Sequence, residues 1–488
     1  ISYSVLTYAN CGTEYTPDCE GVFYENPLFV DADNGDFTLQ STSPCIDAGD
    51  PDLDEDGSYW FADSDDQDPD STRLDMGAYY YHQSDPPPIP PQNLDVSATF
   101  TSATLTWSAN TETDFAKYYI YGGTSAAPAT VLDTITAVDS TEKTFTGLTE
   151  ESTHYYRMTA VDDAGQESDF SAEVSITLPT IYYVATNGSD SNSGSESSPF
   201  ATIQHALDET SDGDYVYVQK GTYITTLEFP NRAVHLISVE GADSTIIDGD
   251  EAESVIVISG ENAASTVRGF TITGGYAYEN TTSCAGWVGG GISICSGASP
   301  TIEYNRIINN VARHRGGGIC VESNSIIRYN LIANNSCPQG WGVYDGGGGV
   351  RIASNNVTFV NNTVYGNSSP YGHGTGLSMS TIGYTTSILK NNIIYNNSGG
   401  DAVYFSESSS SNMDYSIIDQ SGLSGTGLLN TDPLFADASN NNFALQETSP
   451  AIDAGDPDSD GDGVDYTTDT DDQDLDETRK DIGAYVYL

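Results

Sequence analysis

The feature that most constrains this chain is an internal duplication. Residues 26–82 align without a gap on residues 432–488, at a constant offset of 406 positions, and 35 of the 57 pairs are identical. Identity at that level over one continuous stretch indicates a true repeat. We therefore expect residues 1–83 to be the C-terminal end of one module, whose complete version spans residues 180–488. The chain would then hold one whole module and the tail of a preceding one.

The segment between the two copies has a different character. Residues 84–92, SDPPPIPPQ, predict a stiff, extended linker. Residues 93–179 contain strand-length runs such as SATLTWSA and HYYRMTAVDD, separated by turn residues, as in a small β-sandwich. The position of Trp107 and the run GLTEESTHYYRMTAVDDAGQES resemble a fibronectin type III domain. That resemblance implies a spacer or adhesion module without chemistry of its own.

From residue 265 onwards, short apolar runs that are bounded by Gly or Asn recur every 26 to 31 residues. This period predicts a solenoid of stacked β-coils, in which each coil buries its apolar face only against its neighbours. We expect one asparagine of each coil to stack as a ladder, with left-handed backbone at the bends. The ladder residues would be Asn305, Asn330, Asn362 and Asn392.

The run YYVATNGSDSNSGSESSPFATIQHALDETSDGDYVYVQKGTYITTLEF, residues 182–229, resembles the start of secreted right-handed parallel β-helix proteins of the pectate-lyase-like family. The resemblance implies that ATIQHALDE is a short helix that caps the open end of the solenoid. The predicted fold class is therefore all-β. It combines a parallel β-helix, a fibronectin type III sandwich and, at the N-terminus, the C-terminal end of a second β-helix module.

Charge excludes some classes of partner. The chain has 71 Asp plus Glu and 15 Lys plus Arg, a net charge of −56. Nucleic acids and anionic membranes would be repelled by such a protein. No apolar run reaches the length that spans a membrane, so we expect no membrane insertion. The chain starts at Ile1 without a signal peptide, which indicates a processed or excised start.

The cysteines and the asparagine sequons favour an extracellular location. Three pairs lie close enough in sequence for local disulfides: Cys11 with Cys19, Cys284 with Cys295, and Cys320 with Cys337. Cys45 aligns with an alanine in the other copy, which predicts a small buried side chain there. Glycosylation sequons begin at seven asparagines, although most can arise by chance in an Asn-rich chain: Asn187, Asn280, Asn334, Asn356, Asn361, Asn367 and Asn396.

Both copies of the duplication carry an acidic loop, DPDLDEDGSYWFAD and DPDSDGDGVDYTTD. Counted from Asp52 and from Asp458, Asp occupies positions 1, 3, 5 and 12 and Gly position 6, which is the ligand spacing of calcium loops of the EF-hand type. A further acidic run either completes this site or forms a second one: Asp63, Asp65, Asp66, Asp68 and Asp70 in one copy, and Asp469, Asp471, Asp472, Asp474 and Asp476 in the other. We therefore predict structural Ca²⁺ that holds the loop over the end of the core. The predicted ligands are Asp52, Asp54, Asp56, Asp63 and Asp65 in one copy, and Asp458, Asp460, Asp462, Asp469 and Asp471 in the other.

Catalysis is the competing hypothesis, because many parallel β-helix proteins are polysaccharide lyases or hydrolases. Arg315, Asp345 and His373 each precede the Gly-rich strand of successive coils, so stacking would bring them together. The three residues are weak catalytic candidates, and the alternative interpretation is an ion-pair ladder on the surface. Trp287 and Trp341, in Gly-rich insertions, are candidates for stacking on sugars or for packing loops.

The sequence thus favours a non-enzymatic extracellular repeat protein, a surface stalk, adhesin or filament subunit stabilised by calcium. The expected partners are neighbouring repeats or other copies of the protein in head-to-tail association, and glycans. The alternative is a polysaccharide lyase or a glycan-binding protein of the pectate-lyase-like class. The best support for a structural role is the long period, since an enzyme gains little from serial copies of a long rod.

Overall fold

A computed structural model of the chain describes residues 26–32, 36–53, 67–68, 72–77, 87–137, 139–149, 151–260, 264–278, 284, 288–339, 346–370, 373–380, 387–406, 412–459, 462–474 and 477–484. The chain divides into two compact units. One comprises Ile1–Val96, Thr104–Lys143 and His154–Ser175, and the other Ser97–Ala103, Thr144–Thr153 and Ile176–Leu488. The described residues confirm the all-β fold, with one short α-helix among them.

The first described element is a hairpin. Strands β1 (Phe29–Asp31) and β2 (Asp36–Leu39) pair antiparallel. Leu39, Cys45 and Met76 form a small buried core beside them, with Phe29 and Ile46 packed against it. We call this part of the chain, the described residues between 26 and 77, the N-terminal closing module.

A β-sandwich follows, in sheets of three and four strands with the orders β3–β4–β7 and β6–β5–β8–β9. Trp107 is buried and meets the Tyr118 ring edge-on at 5.6 Å, as expected for a core tryptophan. The strands are β3 (Gln92–Ala98), β4 (Ser102–Ser108), β5 (Phe115–Gly123), β6 (Val131–Ile135), β7 (Glu142–Thr146), β8 (Thr153–Asp162) and β9 (Val174–Thr177).

Residues 181–418 form the predicted solenoid, whose coils supply strands to three parallel sheets. Sheet 1 consists of β10 (Ile181–Val184), β11 (Asp214–Val218), β14 (Val234–Ser238), β17 (Thr266–Arg268), β21 (Thr301–Glu303), β25 (Ser325–Arg328), β28 (Val357–Val360) and β31 (Ile388–Lys390). Sheet 2 consists of β12 (Gly221–Ile224), β15 (Thr245–Asp248), β18 (Thr271–Thr273), β22 (Arg306–Ile308), β26 (Leu331–Ala333), β29 (Thr363–Tyr365), β32 (Ile393–Tyr395) and β34 (Ile417–Ile418).

Sheet 3 consists of β13 (Leu227–Glu228), β16 (Ile256–Ile258), β20 (Ile292–Ile294), β24 (Ile319–Val321), β27 (Val350–Ile352), β30 (Leu377–Met379) and β33 (Val403–Phe405). A short pair, β19 (Tyr276–Ala277) and β23 (Val311–Ala312), lies beside them. Helix α1 (Ile203–Glu209) is capped at its N-terminus by Thr202 and buries Ile203, Ala206 and Leu207 in the core. It contacts β10, β11 and β13, so it covers the first coil as predicted.

The core of the solenoid is a set of aligned columns. In sheet 1, Val267, Ile302, Ile327, Phe359 and Leu389 are direct register partners from coil to coil. All five are buried in one continuous cluster. Because parallel strands lie about 4.8 Å apart, each side chain packs on the equivalent side chain of the next coil. Stacking therefore supplies the apolar contacts that no single coil can make alone.

The predicted asparagine ladder is confirmed. Each side-chain amide nitrogen donates to the side-chain oxygen of the next ladder residue, at 3.2 Å from Asn305 to Asn330, 3.1 Å from Asn330 to Asn362 and 3.2 Å from Asn362 to Asn392. The same oxygens accept the backbone N–H of the preceding ladder residue. The ladder thus supplies partners to polar backbone groups buried at the bend.

A second ladder runs parallel to the first and was not predicted. It links Asn310 to Asn335 at 3.1 Å, Asn335 to Asn367 at 3.0 Å and Asn367 to Asn397 at 3.0 Å. The signal was present in the sequence, since each of these residues lies five positions after a member of the first ladder. Asn367 is fully buried, so its sequon is not available for glycosylation in the folded chain.

The left-handed backbone expected at the bends is present. The left-handed residue is the one before each ladder asparagine, with φ between 52° and 59° in both ladders, or 66° at Gly366. The sharp bend is made one residue early, which leaves the ladder asparagine extended enough for its side chain to reach the next coil. The left-handed residues are Tyr304, Tyr329, Asn361 and Asn391 for the first ladder, and Asn309, Asn334, Gly366 and Asn396 for the second.

The sequence had predicted that the C-terminal segment covers the end of the core, but this segment lies on the side of the solenoid. Its strands β35 (Phe435–Asp437) and β36 (Asn442–Leu445) form a hairpin that packs against the outer face of sheet 2. Phe443 is buried against Leu331 and Ala333 of β26. We call the described residues between 432 and 484 the C-terminal closing module, and the outer face of sheet 2 between residues 331 and 417 the flank.

The two closing modules have the same internal hydrogen bonds. Gln40 Nε2 donates to the Phe29 carbonyl at 2.7 Å, and Gln446 Nε2 donates to the Phe435 carbonyl at 2.8 Å. Likewise, the Asp47 N–H donates to Asp75 Oδ1 at 2.8 Å, and the Asp453 N–H donates to Asp481 Oδ1 at 2.9 Å. The duplication is therefore a duplication of structure as well as of sequence.

The cysteine pairing is partly as predicted. Cys284 and Cys295 form a disulfide, and Cys45 is a buried thiol at the position of Ala451. The predicted bond between Cys320 and Cys337 is wrong, because Cys320 is a buried thiol on β24. Cys320 belongs to sheet 3, whereas Cys337 follows the second-ladder residue Asn335. Sequence spacing alone does not reveal these separate positions. Cys11 and Cys19 lie outside the described residues.

We predict that Asn335→Leu destabilises the solenoid by about 2–4 kcal/mol. The substitution removes the acceptor of the Asn310 N–H and the donor to the Ile307 carbonyl, and leaving each buried group unsatisfied costs about 1–3 kcal/mol. Chemical unfolding followed by circular dichroism would measure the loss. Asn324→Leu, at an exposed turn, is the matched control. Equal stability of the two variants would contradict a structural role for the second ladder.

Candidate functional site

The acidic loop of the C-terminal closing module has the sharp turn that the spacing predicted. Gly463 has φ of 89°, and its N–H donates to Asp458 Oδ2 at 3.1 Å. Asp462 caps the same turn by accepting the Val464 N–H at 2.7 Å. The remaining predicted ligand with a described side chain in this loop is Asp469. Those outside the described parts are Asp460, the side chain of Asp471, and Asp54, Asp56, Asp63 and Asp65 of the other copy.

Within the described residues, no three His, Cys, Asp or Glu side chains converge as a metal site. The described ligands of the C-terminal loop therefore do not form a complete coordination shell by themselves. Of the predicted ligands in the N-terminal loop only Asp52 is described, and its N–H donates to Asp50 Oδ1 at 3.2 Å. The equivalent bond, from the Asp458 N–H to Asp456, also measures 3.2 Å, so both loops begin with the same local geometry.

Asp472 is the most unusual carboxylate of the loop and belongs to the further acidic run, although it was absent from the predicted ligands. It is fully buried, and its Oδ1 accepts both the N–H and the hydroxyl of Ser459 at 2.6 Å. Its Oδ2 is also buried and has no hydrogen-bond partner. A buried anionic oxygen is costly without a compensating charge, and a hard cation such as Ca²⁺ suits carboxylate oxygen.

Of the three weak catalytic candidates, Arg315 and His373 lie in one column of bridge partners. The bridge register runs from Arg315 to Gly346 to His373, so a glycine occupies the position between these two side chains. Asp345, one residue earlier, lies outside the described residues. His373 stacks on the Tyr404 ring at 4.2 Å. Trp287 and Trp341 also fall outside the described residues.

Sheet 3 carries a column of polar and ionisable side chains that sequence reasoning missed. The middle residues of successive strands are register partners and alternate with core residues. Arg351, in the centre, is fully buried and donates to the carbonyl of Ile352 at 2.8 Å. The strand period was visible in sequence, but the burial of its outward residues was not. The column consists of Ser293, Cys320, Arg351, Ser378 and Tyr404.

Burial perturbs two acids beside Arg351. It raises the pKa of Glu322 to about 7, although Arg315 and Arg351 oppose the shift by favouring the carboxylate. It also raises the pKa of the Cys320 thiol to about 12, so this cysteine is protonated and unreactive at neutral pH. The Arg315 side chain therefore acts on Glu322 electrostatically, a partner that the sequence did not suggest.

A groove of about 500 Å³ lies between the solenoid and the C-terminal closing module. The rings of Tyr304 and Tyr329 line it, stacked at 4.9 Å and nearly parallel. Arg306, which is paired with Asp243, and Phe443 also line the groove. Aromatic faces beside hydrogen-bonding groups are the usual features of a sugar-binding groove.

Comparisons with known proteins agree with this architecture. The family model of the right handed beta helix region matches residues 215–383, and that of the fibronectin type III domain matches residues 89–177. The chain contains a right-handed parallel β-helix and a fibronectin type III domain. Both kinds of domain are typical of extracellular proteins. No helix in the described part of the chain is long and apolar enough to cross a membrane.

Individual relatives cover small parts of the protein. The uncharacterized protein YwoF of Bacillus subtilis (strain 168) is 36% identical over 84 residues, which are 17% of this chain and 16% of that protein. An Fn3-like protein from Clostridium thermocellum is 30% identical, with a TM-score of 0.16. The match covers 19% of this chain and 94% of that chain. The FN1–FN3 domains of chicken CNTN1 are 16% identical, with a TM-score of 0.17, over 18% of this chain and 32% of that one.

We predict that Glu322→Gln makes the β-helix less sensitive to rising pH. The folded-state pKa of about 7 exceeds the usual value of 4.5, so the stability contributed by the protonated side chain is complete below pH 4.5. It is lost as the pH rises through 7, by at most about 3 kcal/mol. Urea unfolding at acidic and alkaline pH would measure the difference. Exposed Glu196→Gln is the control, and matching pH profiles for the two variants would contradict this assignment.

Proposed function

We propose that the protein is a non-enzymatic extracellular structural repeat protein, a stalk, adhesin or filament subunit, and that it is stabilised by calcium. The observation that carries this proposal is the closing module, which occurs twice with the same fold and the same internal hydrogen bonds. Repetition of a covering element serves a rod built from successive modules, because each module needs its own. The solenoid supplies a stiff rod, and the fibronectin type III domain supplies a spacer between rods.

Calcium would act at the acidic loop of each closing module. In the C-terminal copy, we assign Asp472 as a ligand beside the predicted Asp458, Asp460, Asp462, Asp469 and Asp471. The support is the buried Asp472 oxygen without a hydrogen-bond partner, together with the turn that Gly463 makes beside Asp458. The cation would offset repulsion among thirteen acidic residues between Asp453 and Asp481. It would thereby hold the loop against the flank.

Glycan binding is a second candidate function, favoured by the groove beside the C-terminal closing module. The Tyr304 and Tyr329 rings stack on each other and Arg268 lies over the Tyr304 ring at 4.6 Å, so a sugar would meet the exposed part of these rings beside the Arg306 donors. The net charge of −56 favours a neutral sugar over a uronate polymer, since an anionic chain would be repelled. This candidate is compatible with an adhesive role.

Removal of calcium should lower the thermal stability of the intact chain. Calcium at a hundred times its dissociation constant would stabilise the folded state by about 2.7 kcal/mol, which raises the unfolding midpoint by several degrees. Differential scanning calorimetry with Ca²⁺ or with EDTA measures the shift. Asp472→Asn should reduce it, whereas Asp208→Asn on α1, an exposed acid, should leave it unchanged.

An unchanged midpoint in EDTA would contradict the calcium proposal. Tb³⁺ luminescence gives a second reading, because Tyr466 lies in the loop and can sensitise a bound lanthanide. Absence of sensitised emission from the wild-type chain would lead to the same conclusion.

Purified protein should show no lyase activity on polygalacturonate, alginate or chondroitin. Gly346 is the register partner of both Arg315 and His373, and Arg315 favours the carboxylate form of Glu322 electrostatically. The assay records the absorbance of unsaturated products with and without Ca²⁺. Product formation that Arg315→Ala abolishes, while Arg157→Ala in the fibronectin type III domain retains it, would overturn the structural proposal in favour of a lyase.

A further inference from the structure

The two closing modules differ in the exposure of one aromatic side chain. Phe443 of the C-terminal module is 1% exposed, whereas its duplicate Phe37 is 47% exposed. The local geometry is otherwise the same, because Phe443 meets the Phe435 ring edge-on at 5.2 Å and Phe37 meets Phe29 edge-on at 5.5 Å. The difference therefore arises from what lies against the hairpin and not from how it is folded.

In the C-terminal module, the covering surface is the flank of the β-helix. Phe443 packs in a cluster with Leu331 and Ala333, with Tyr365 against it. The outward residues of sheet 2 strands thus form an apolar strip whose period is that of the coils. Any stack of coils whose outward residues are aliphatic presents such a strip, because the coils repeat at a regular spacing.

Polar contacts surround this apolar contact and orient the module. Asn391 Oδ1 accepts the N–H of Asp456 at 2.7 Å, and the carbonyl of Asn391 accepts the N–H of Gly483 at 2.9 Å. Lys390 Nζ pairs with Asp456 Oδ2 at 2.9 Å. Asn361 Nδ2 donates to the carbonyl of Asp481 at 3.2 Å. The module therefore recognises both the aliphatic strip and the residues at the first asparagine ladder.

The residues that make these contacts are the same in the N-terminal module. Phe37, Asp50, Asp75 and Gly77 occupy the positions of Phe443, Asp456, Asp481 and Gly483. The apolar position that differs most in this hairpin, Val30, corresponds to Ala436, which stays exposed in the seated module. Identity is thus retained at these four contact positions, whereas two further apolar contact residues, Ala451 and Ile482, are replaced by Cys45 and Met76, which are also apolar.

We infer that the surface formed by Phe37, Asp50, Asp75 and Gly77 is a docking surface for the flank of a parallel β-helix. The partner is a stack of coils that carries an aliphatic outward strip beside an asparagine ladder and is not covered by a closing module of its own. This inference rests on the proposed structural role and specifies the contact that joins one module to the next. A glycan is a poorer match, because the seated duplicate contacts aliphatic side chains at its centre.

The chain itself supplies both the donor and the acceptor for a test. The acceptor is the full chain with Phe37→Asp and Phe443→Asp, which opens its own flank and removes its own docking surface. The donor is the wild-type chain, whose flank is covered and whose Phe37 is exposed. Sedimentation velocity of the labelled acceptor with increasing donor measures binding in trans, without interference from contacts within one molecule.

We expect the wild-type donor to form a one-to-one complex with the acceptor. A Phe37→Asp donor should bind at least about tenfold more weakly, because a charge would then face the aliphatic strip. Val30→Asp is the matched donor control, since it adds the same charge to the same hairpin outside the contact, and it should bind as wild type does. Equal binding by the Phe37→Asp and wild-type donors, or no binding by either, would overturn the inference.

Folding of the acceptor is checked separately. Circular dichroism reports the β-helix, and proteolytic release of the C-terminal closing module reports an open flank. If Phe443→Asp prevents folding, Phe443→Ser replaces it in the acceptor, and the same donor comparison decides the result. The outcome is distinct from that for the proposed function, because calcium-dependent melting and absence of lyase activity do not depend on this contact.

Discussion

The whole structure depends on stacking of parallel strands in register, about 4.8 Å apart. Each coil contributes three short strands and cannot bury its apolar residues alone, so stability comes from columns such as Val267, Ile302, Ile327, Phe359 and Leu389. The bends between strands would leave buried polar backbone groups, and two asparagine ladders supply their partners. The strand register, the core columns and the asparagine ladders therefore depend on one another, since a slip of one residue in the register would disrupt all three.

The position of the C-terminal closing module also depends on this stacking. Outward residues on sheet 2 form a regular apolar strip, and water would contact that strip unless another segment covered it. The hairpin of the C-terminal closing module does so with Phe443, while Lys390 and Asn391 fix its orientation at the rim. The acidic loop is attached to this module, so any cation bound there would be held at the side of the rod and not at its end.

The buried ionisable groups of sheet 3 lie apart from the acidic loops. The buried polar column on sheet 3 contains an arginine, a protonated thiol and a glutamate whose pKa is raised towards neutrality. Burial accounts for both pKa shifts, and neither group shares a site with the acidic loops. Stability of the β-helix, the proposed metal binding at its side and the proposed recognition of a neighbouring module can therefore vary independently.

The sequence by itself determined the duplication, the coil period, the first asparagine ladder, helix α1 and the burial of Cys45, because each leaves a pattern along the chain. It also contained the second ladder, five residues after the first. Only the tertiary structure decided that the closing module lies on the flank, that Cys320 is a buried thiol, and that Asp472 and Arg351 are buried. The physical reason is that outward residues of a coil are alike in sequence whether water or a distant segment covers them. Burial there depends on where the chain returns after more than a hundred residues, as between Thr363 and Ala484, and no local period encodes that return.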